Sequence, residues 1–338
     1  MEYRVNIDLA NTTKAELASV IDGKDDRILN RVGAFSSLFL LDVKKYREPV
    51  LVLKTEEPGS KQVLAFQHDR IEAVCYDMIN HLINDCIVMG AEPLAVQDLV
   101  ICGKLEKPVV TRVVSAIAAA CQAQGCVLTG GETTEQPDIV PEKTYILGSS
   151  IVGIVERDKI IDGSKIKPGD VVIALRSSGP HTNGYTLIRD LLVKNPALAK
   201  EPIGSTTFID AVLEPHKCYY NSVKGLFDNH LLGMAHITGG GIRENLNRIL
   251  PKNVDASIDL EKYEVPEVFK VIQKASNGSL DSMLRTFNMG IGLTLVSRPE
   301  MVQPVLDHLY ECGEQAYVIG NIIAGSGKVQ CHGALFKE

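Results

Sequence analysis

Between Asp69 and Pro93 the apolar residues Ile71, Val74, Cys75, Met78, Leu82, Cys86 and Met89 recur at steps of three and four. That spacing predicts a long helix with one core face, stopped by Gly90 and then Pro93. Asp77, His81, Asn84 and Asp85 recur at similar steps on another side, so one helix carries a stripe of two carboxylates, an imidazole and an amide. A polar stripe is ordinarily a solvated face. This one has no lysine or arginine and includes asparagine, a mediocre helix former; these features pull toward a working surface, and the stripe alone leaves both readings open.

Apolar runs and alternating segments predict strands at 48–55, 93–103, 126–133 and 144–156, with a second helix over 108–125. The segment 157–170 is polar and holds Gly and Pro, which predicts a domain boundary there. Beyond it, strands are expected at 170–175, at the start of 234–250, at 289–296 and at 316–323. Helices are expected after 177–184, over 215–228, near 266–275 and over 299–312. Strands alternating with helices in both halves predict an α/β or α+β layer architecture, divided into domains at 1–160 and 170–338.

Length agrees with two domains, since 338 residues exceed one compact unit by about a factor of two. At 45% hydrophobic and 23% charged residues, nothing fibrous or disordered is expected. The net charge of -7 disfavours nucleic acid and anionic membranes as partners, because both need clustered Lys and Arg. The N-terminal residues have charges and amides where a signal peptide has an apolar core, and no apolar run reaches about 18 residues. The expectation is a soluble, cytoplasmic protein. Eight cysteines without a CxxC pair lie mostly in apolar stretches and are expected to be buried, reduced thiols.

Four glycine-rich turns are expected at strand ends: TEEPGSK (55–61), TGGETTEQPD (129–138), SSGPHTNG (177–184) and HITGGG (236–241). Helices are expected directly after the last two, and such turns expose backbone N–H groups suited to phosphate. Asn183 fits as the N-cap of the first of these helices. GSGK at 325–328 lacks the first glycine of a P-loop and is expected in a hairpin turn. His181 and His236 both sit in glycine-rich turns, which favours a functional role. Glu132 after Gly130-Gly131, with Asp77 and Asp85, offers hard oxygen ligands. Carboxylates beside phosphate-friendly loops point to magnesium and a nucleoside triphosphate.

The strings HITGGGIRENLNRILP, SSGPHTNGY, GGETTEQP, KYREPVLV, NDCIVMGAEPL, IIDGSKIKPGDVVIAL and RTFNMGIG resemble the aminoimidazole ribonucleotide synthetases, the phosphoribosylformylglycinamidine cyclo-ligases, from about residue 33 to about residue 323. The resemblance implies a homodimer in which N-terminal strands of two subunits close a barrel, with a C-terminal mixed sheet flanked by helices. It implies ATP and Mg2+ as cofactors and a small-molecule ribonucleotide, formylglycinamidine ribonucleotide, as substrate. Asp77, Asn84, Asp85 and Glu132 would address magnesium and ATP phosphates, joined by Thr55, Glu56, Lys61, Gly130 and Gly131. Metal ligation would fall to Asp77, Glu132 and Glu56. Catalysis would fall to His181 and His236 with Glu132 and Asp77, while Asn183 and Gly239, Gly240 and Gly241 shape the phosphate site. The chain departs from the family's TDGVGTK loop at Glu56, Glu57 and Pro58. Glu56 keeps a carboxylate on a longer arm, Glu57 replaces a glycine, and Pro58 removes an N–H. That departure leaves two alternatives: a small-molecule kinase or ligase of the same superfamily, or a non-catalytic ribonucleotide-binding paralogue.

Overall fold

The computed structural model describes residues 6–23, 25–228 and 230–336. The chain divides into two compact units, one of Met1–Cys86 with Ala91–Arg157, the other of Ile87–Gly90 with Asp158–Glu338.

In the first unit the chain runs α1 (Ile7–Ile21), β1 (Pro49–Glu56), α2 (Lys61–Gln67), α3 (Ile71–Ile87), β2 (Glu92–Cys102), α4 (Lys107–Ala123), β3 (Val127–Glu135) and β4 (Tyr145–Glu156). The strands form one mixed sheet in the order β1-β4-β2-β3, with β2 and β3 parallel and joined through α4. Helices cover one face. The Sγ of Cys86 lies 2.3 Å from where a Cβ on Gly153 would stand, so α3 approaches β4 closely enough to require glycine there. The other face carries exposed Leu51 and Leu53 of β1, Leu99 of β2 and Ile146 of β4. The predicted helix over 69–93 is α3, buried almost all round. The paired glycines 130–131 do not make a turn: they lie inside β3, at a register shift against β2. Neither α1 nor α2 was expected, and α2 opens directly from TEEPGSK, so three of the glycine-rich segments lead into helices.

The second unit is built from β5 (Val171–Arg176), α5 (Tyr185–Lys194), β6 (Pro202–Ile203), β7 (Thr206–Thr207), α6 (Phe208–Leu213), α7 (Tyr220–Val223), β8 (Gly233–His236), α8 (Gly241–Leu246), β9 (Val254–Asp259), α9 (Glu267–Ser276), α10 (Leu280–Thr286), β10 (Ile291–Ser297), α11 (Val302–Glu311), β11 (Ala316–Ala324) and β12 (Val329–His332). Its six-stranded sheet has the order β12-β9-β11-β5-β10-β8. Every residue of β10 is buried, which accounts for its unbroken apolar run. The helix expected over 215–228 shrinks to α7 followed by one 3₁₀ turn over Lys224–Leu226.

The expected hairpin at GSGK is also overturned. β11 and β12 are not neighbours: β11 pairs antiparallel and β12 parallel with β9, so residues 325–328 cross over the start of that strand. The Asp255 carboxylate fixes the crossing by accepting from the Ser326 and Lys328 N–H groups at 2.6 and 2.8 Å. Those amides hold their own chain and need no phosphate. No helix among the described residues is long and apolar enough to cross a membrane. Five of the eight cysteines are buried and Cys312 is exposed.

Candidate active site

In the first unit the polar stripe of α3 turns inward. Asp77 and Asn84 are fully buried and His81 nearly so, because the stripe lies under the sheet. Strand alternation puts Lys54 and Glu56 on the same covered face. The Lys54 Nζ stands 2.9 Å from Asp85 and 3.0 Å from Glu56, and His81 lies 3.7 Å from each carboxylate. Burial works against the charge on Lys54, but Asp85 and Glu56 outweigh it and leave its pKa above the usual lysine value. Lys61 and Asp77 meet elsewhere as a fully buried ion pair at 2.8 Å.

Register extends this surface across the sheet. Glu56 of β1 pairs with Ser149 of β4, Ser149 with Asp98 of β2, and Asp98 with Gly131 of β3. Gly131 is needed there, since an added Cβ would lie 2.0 Å from an Asp98 carboxylate oxygen. Burial pushes the Asp98 carboxyl up to about 7, and the charge of Glu132 adds to the shift. The Ser149 hydroxyl is buried with no hydrogen-bond partner. Asp98, Ser149 and Lys54 escaped the sequence reading. Alternation in β2 and β4 marks the covered positions, but not which of them carry chemistry. Glu132 itself is exposed on β3, where it pairs with Leu99. Thr55 bonds Ser150 across the strands at 2.9 Å, and Gly130 faces Ser37.

The TEEPGSK loop closes on itself. The Glu57 carboxylate accepts from the Gly59 N–H at 2.7 Å, and Gly59 takes φ 67°, the left-handed region that glycine tolerates.

In the second unit three motif segments converge. His181 sits at φ 58°, an uncommon conformation for a non-glycine residue, at the apex of SSGPHTNG. Asn288 of the FNMG segment holds that turn: its Nδ2 donates to the Gly179 carbonyl at 2.9 Å, and its Oδ1 accepts from Ser177 and from the Gly290 N–H. Asn183 is not the N-cap of α5. Gly184 takes that position with φ 80°, where the Phe287 ring, 2.1 Å from a hypothetical Cβ, excludes any side chain. The Asn183 Nδ2 is buried without a hydrogen-bond partner, and its Oδ1 lies against Gly239.

Asn245 shapes the HITGGG turn, donating to the Thr238, Gly239 and Gly241 carbonyls. Gly240 and Gly241 take φ 90° and 61°, and the Leu284 carbonyl oxygen lies 1.9 Å from where a Cβ on Gly241 would stand. His236, at the end of β8, meets His216 with 2.9 Å between Nε2 atoms, and His216 stacks on His181 with ring centroids 3.8 Å apart. His216 went unread in the sequence, because EPHK has neither glycine-rich context nor periodicity.

The two units therefore offer complementary chemistry: hard oxygen donors around a cation in the first, and imidazoles beside glycine-rich turns in the second. Family models for AIR synthase related proteins match both halves, the N-terminal domain over residues 43–155 and the C-terminal domain over 167–332. The phosphoribosylformylglycinamidine cyclo-ligase of Chromobacterium violaceum is 43% identical over 297 residues, covering 87% of this chain and 86% of its own. That of Thermoanaerobacter pseudethanolicus is 40% identical over 337 residues, covering 97% and 99%. Among solved structures, thiamine-monophosphate kinase from Stenotrophomonas maltophilia aligns with TM-score 0.68 at 15% identity, over 97% of this chain and 96% of that one. The hydrogenase maturation protein HypE in complex with ATP aligns at 0.67 and 16%, over 92% and 88%. At such identities the likeness is one of fold.

Proposed function

Because this chain belongs to the phosphoribosylformylglycinamidine cyclo-ligase family, we propose how its two units divide the work of the ATP-dependent cyclisation. The enzyme is a ligase of purine biosynthesis that closes formylglycinamidine ribonucleotide to aminoimidazole ribonucleotide by forming a C–N bond. The relatives at 40–43% identity share this one name, and nothing in them favours a kinase or a non-catalytic paralogue.

An amide oxygen leaves poorly, so the reaction needs it phosphorylated; attack of the amidine nitrogen on the resulting iminophosphate carbon then expels phosphate. Catalysis is positioning and charge neutralisation. Residues 1–160 take the ATP-binding and dimerisation roles, and 170–338 address the substrate. Magnesium fits the first unit's donor set. Glu56 and Asp85 already flank a cation, the Lys54 ammonium, whose side chain is 36% exposed. The buried carboxyl of Asp98 and the unpartnered hydroxyl of Ser149 add oxygen donors in the same cross-strand row. These residues would hold the ion, which supplies charge neutralisation at the ATP phosphates, whereas Glu132 pairs with Leu99 on the opposite face of the sheet and stands apart from them. Asp77 is engaged with Lys61, so its role lies in holding α3 and α2 together.

In the second unit the Gly239, Gly240 and Gly241 turn and the side chain of Asn183 shape the phosphate site, with the Gly240 and Gly241 N–H groups donating to the Arg285 and Thr238 carbonyls to hold the turn itself. His181 and His236 stabilise or protonate the reacting groups. The convergence of SSGPHTNG, HITGGG and FNMG within one unit is the observation that carries this assignment. A homodimer is supported by the open apolar face of the first sheet, with Leu51, Leu53, Leu99 and Ile146 exposed. Use of ATP and a ribonucleotide substrate supports a cytoplasmic location.

Purified protein given ATP, magnesium and formylglycinamidine ribonucleotide should release ADP and phosphate and form aminoimidazole ribonucleotide. Expression should restore growth of a purine-requiring strain lacking this step, and the His236→Ala variant should not. Absence of product under varied metals, with folded protein, refutes the assignment.

A further inference from the structure

We propose that His216 is a positioning residue for His236, fixing its tautomer through an Nε2-to-Nε2 hydrogen bond. His216 lies outside the glycine-rich motifs, in the segment between α6 and α7. Both rings are buried, the two Nε2 atoms are 2.9 Å apart, and the ring centroids are 5.0 Å apart. Centroid separation exceeds nitrogen separation by nearly the span of two ring radii, so the nitrogens point almost straight at one another.

Between two neutral imidazoles such a contact requires complementary tautomers, with either ring as the donor. One ring carries its hydrogen on Nε2 and donates, while the other carries it on Nδ1 and accepts. The tautomer of His236 is therefore locked to the complement of its neighbour's.

His216 is itself held from several sides. His181 stacks on it at an interplanar angle of 21°. The Ser178 hydroxyl donates to the Pro215 carbonyl at 2.6 Å, and the Ser178 N–H donates to the His181 Nε2 at 3.2 Å. Lys217 pairs with Glu314 at 2.6 Å, and Ser222 bonds the same carboxylate at 2.7 Å. The Tyr219 hydroxyl donates to the Arg176 carbonyl. These bonds fix the segment on both sides of His216, so its imidazole has little freedom to turn away from His236.

The ligating atoms of His181, His216 and His236 all lie within 4.8 Å of one another, a spacing that also suits a divalent transition metal. The orientations favour the hydrogen bond. Ligands of one ion must converge on it, whereas two of these nitrogens face each other and the His181 ring lies nearly parallel to that of His216.

The role rests on His236 addressing the reacting groups, and the test separates the two ideas. Nitrogen-15 NMR of the full-length protein should show complementary tautomers for His216 and His236. His216→Gln, which keeps a hydrogen-bonding group, should retain a single His236 tautomer and most of kcat. His216→Phe, which keeps a stacking ring, should give mixed His236 tautomers and lower kcat about tenfold, the rate equivalent of one lost hydrogen bond, with KM for ATP little changed. Identical tautomers in the wild type, or wild-type kcat in His216→Phe, overturns the proposal. So does a visible Co2+ absorption band that the Phe variant loses, since that would mark a three-histidine metal site. Should the wild type fail to cyclise, the proposed function falls, and the tautomer pattern alone still decides whether His216 fixes His236.

Discussion

Lys61→Met tests how the first unit tolerates charge in its core. Lys61 and Asp77 are fully buried and 2.8 Å apart, so removing the ammonium leaves a carboxylate sealed away from water without that counter-ion. Breaking a buried pair on one side costs about 3–5 kcal/mol, while replacing both partners with apolar groups of similar volume is often neutral. At about 2–4 °C per kcal/mol for a unit of this size, Lys61→Met should lower the melting temperature of the first unit by about 6–20 °C. The double variant Lys61→Met/Asp77→Leu should recover most of that loss. Scanning calorimetry or circular dichroism melts of the full chain measure both. A single-variant shift below about 2 °C, or a double variant as unstable as the single, refutes the reasoning. Turnover by the stable double variant then reports whether the pair also serves ATP, apart from its part in the fold.

Asp98 should impose a pH dependence. Its folded pKa of about 7 lies above the unfolded carboxylate value, so the folded state holds the proton more tightly. That contribution is complete below about pH 4 and lost as pH rises through about 7; measured in chelator, wild type should therefore lose on the order of 3–4 kcal/mol relative to Asp98→Asn across that window, and a constant difference would count against it. Asn288→Leu removes a buried hub of three hydrogen bonds from the SSGPH turn, and kcat should fall at least about tenfold while the fold persists by circular dichroism. Gly241→Ala meets both φ 61° and the Leu284 carbonyl, so loss of activity together with a lowered melting temperature is expected. Leu53→Glu places a charge on the open face of the first sheet, and light scattering should show dimers for the wild type and monomers for the variant.

The sequence displayed the fold best where periodicity ran long. The three- and four-residue spacing on α3 was legible with its polar stripe, and so were β1, β2, β4, β5 and β10. Pairing between distant strands was not: β12 reaches β9 by crossing over it, and no local pattern at GSGK distinguishes that from a hairpin. The choice of Gly184 over Asn183 as N-cap depends on the ring of Phe287, about a hundred residues away in the chain. In the site, glycine-rich context exposed His181 and His236. Lys54 and His216 carried no such mark, because their partners come from α3 and from β8. Asp98 and Ser149 became visible only when register laid β1, β4 and β2 side by side.

The grip of Asn288 on the SSGPH turn also sets an order of events. Ser177 and Asn288 are 111 residues apart, so the bond between them closes a long loop and forms only after β10 has docked beside β5. A chain with native helices but an incomplete second sheet would hold its histidines in unconstrained loops, with His181 relaxed out of its left-handed conformation. Catalytic competence should therefore appear late in refolding, and amide exchange in residues 177–184 should follow the opening of the sheet core rather than that of a surface loop.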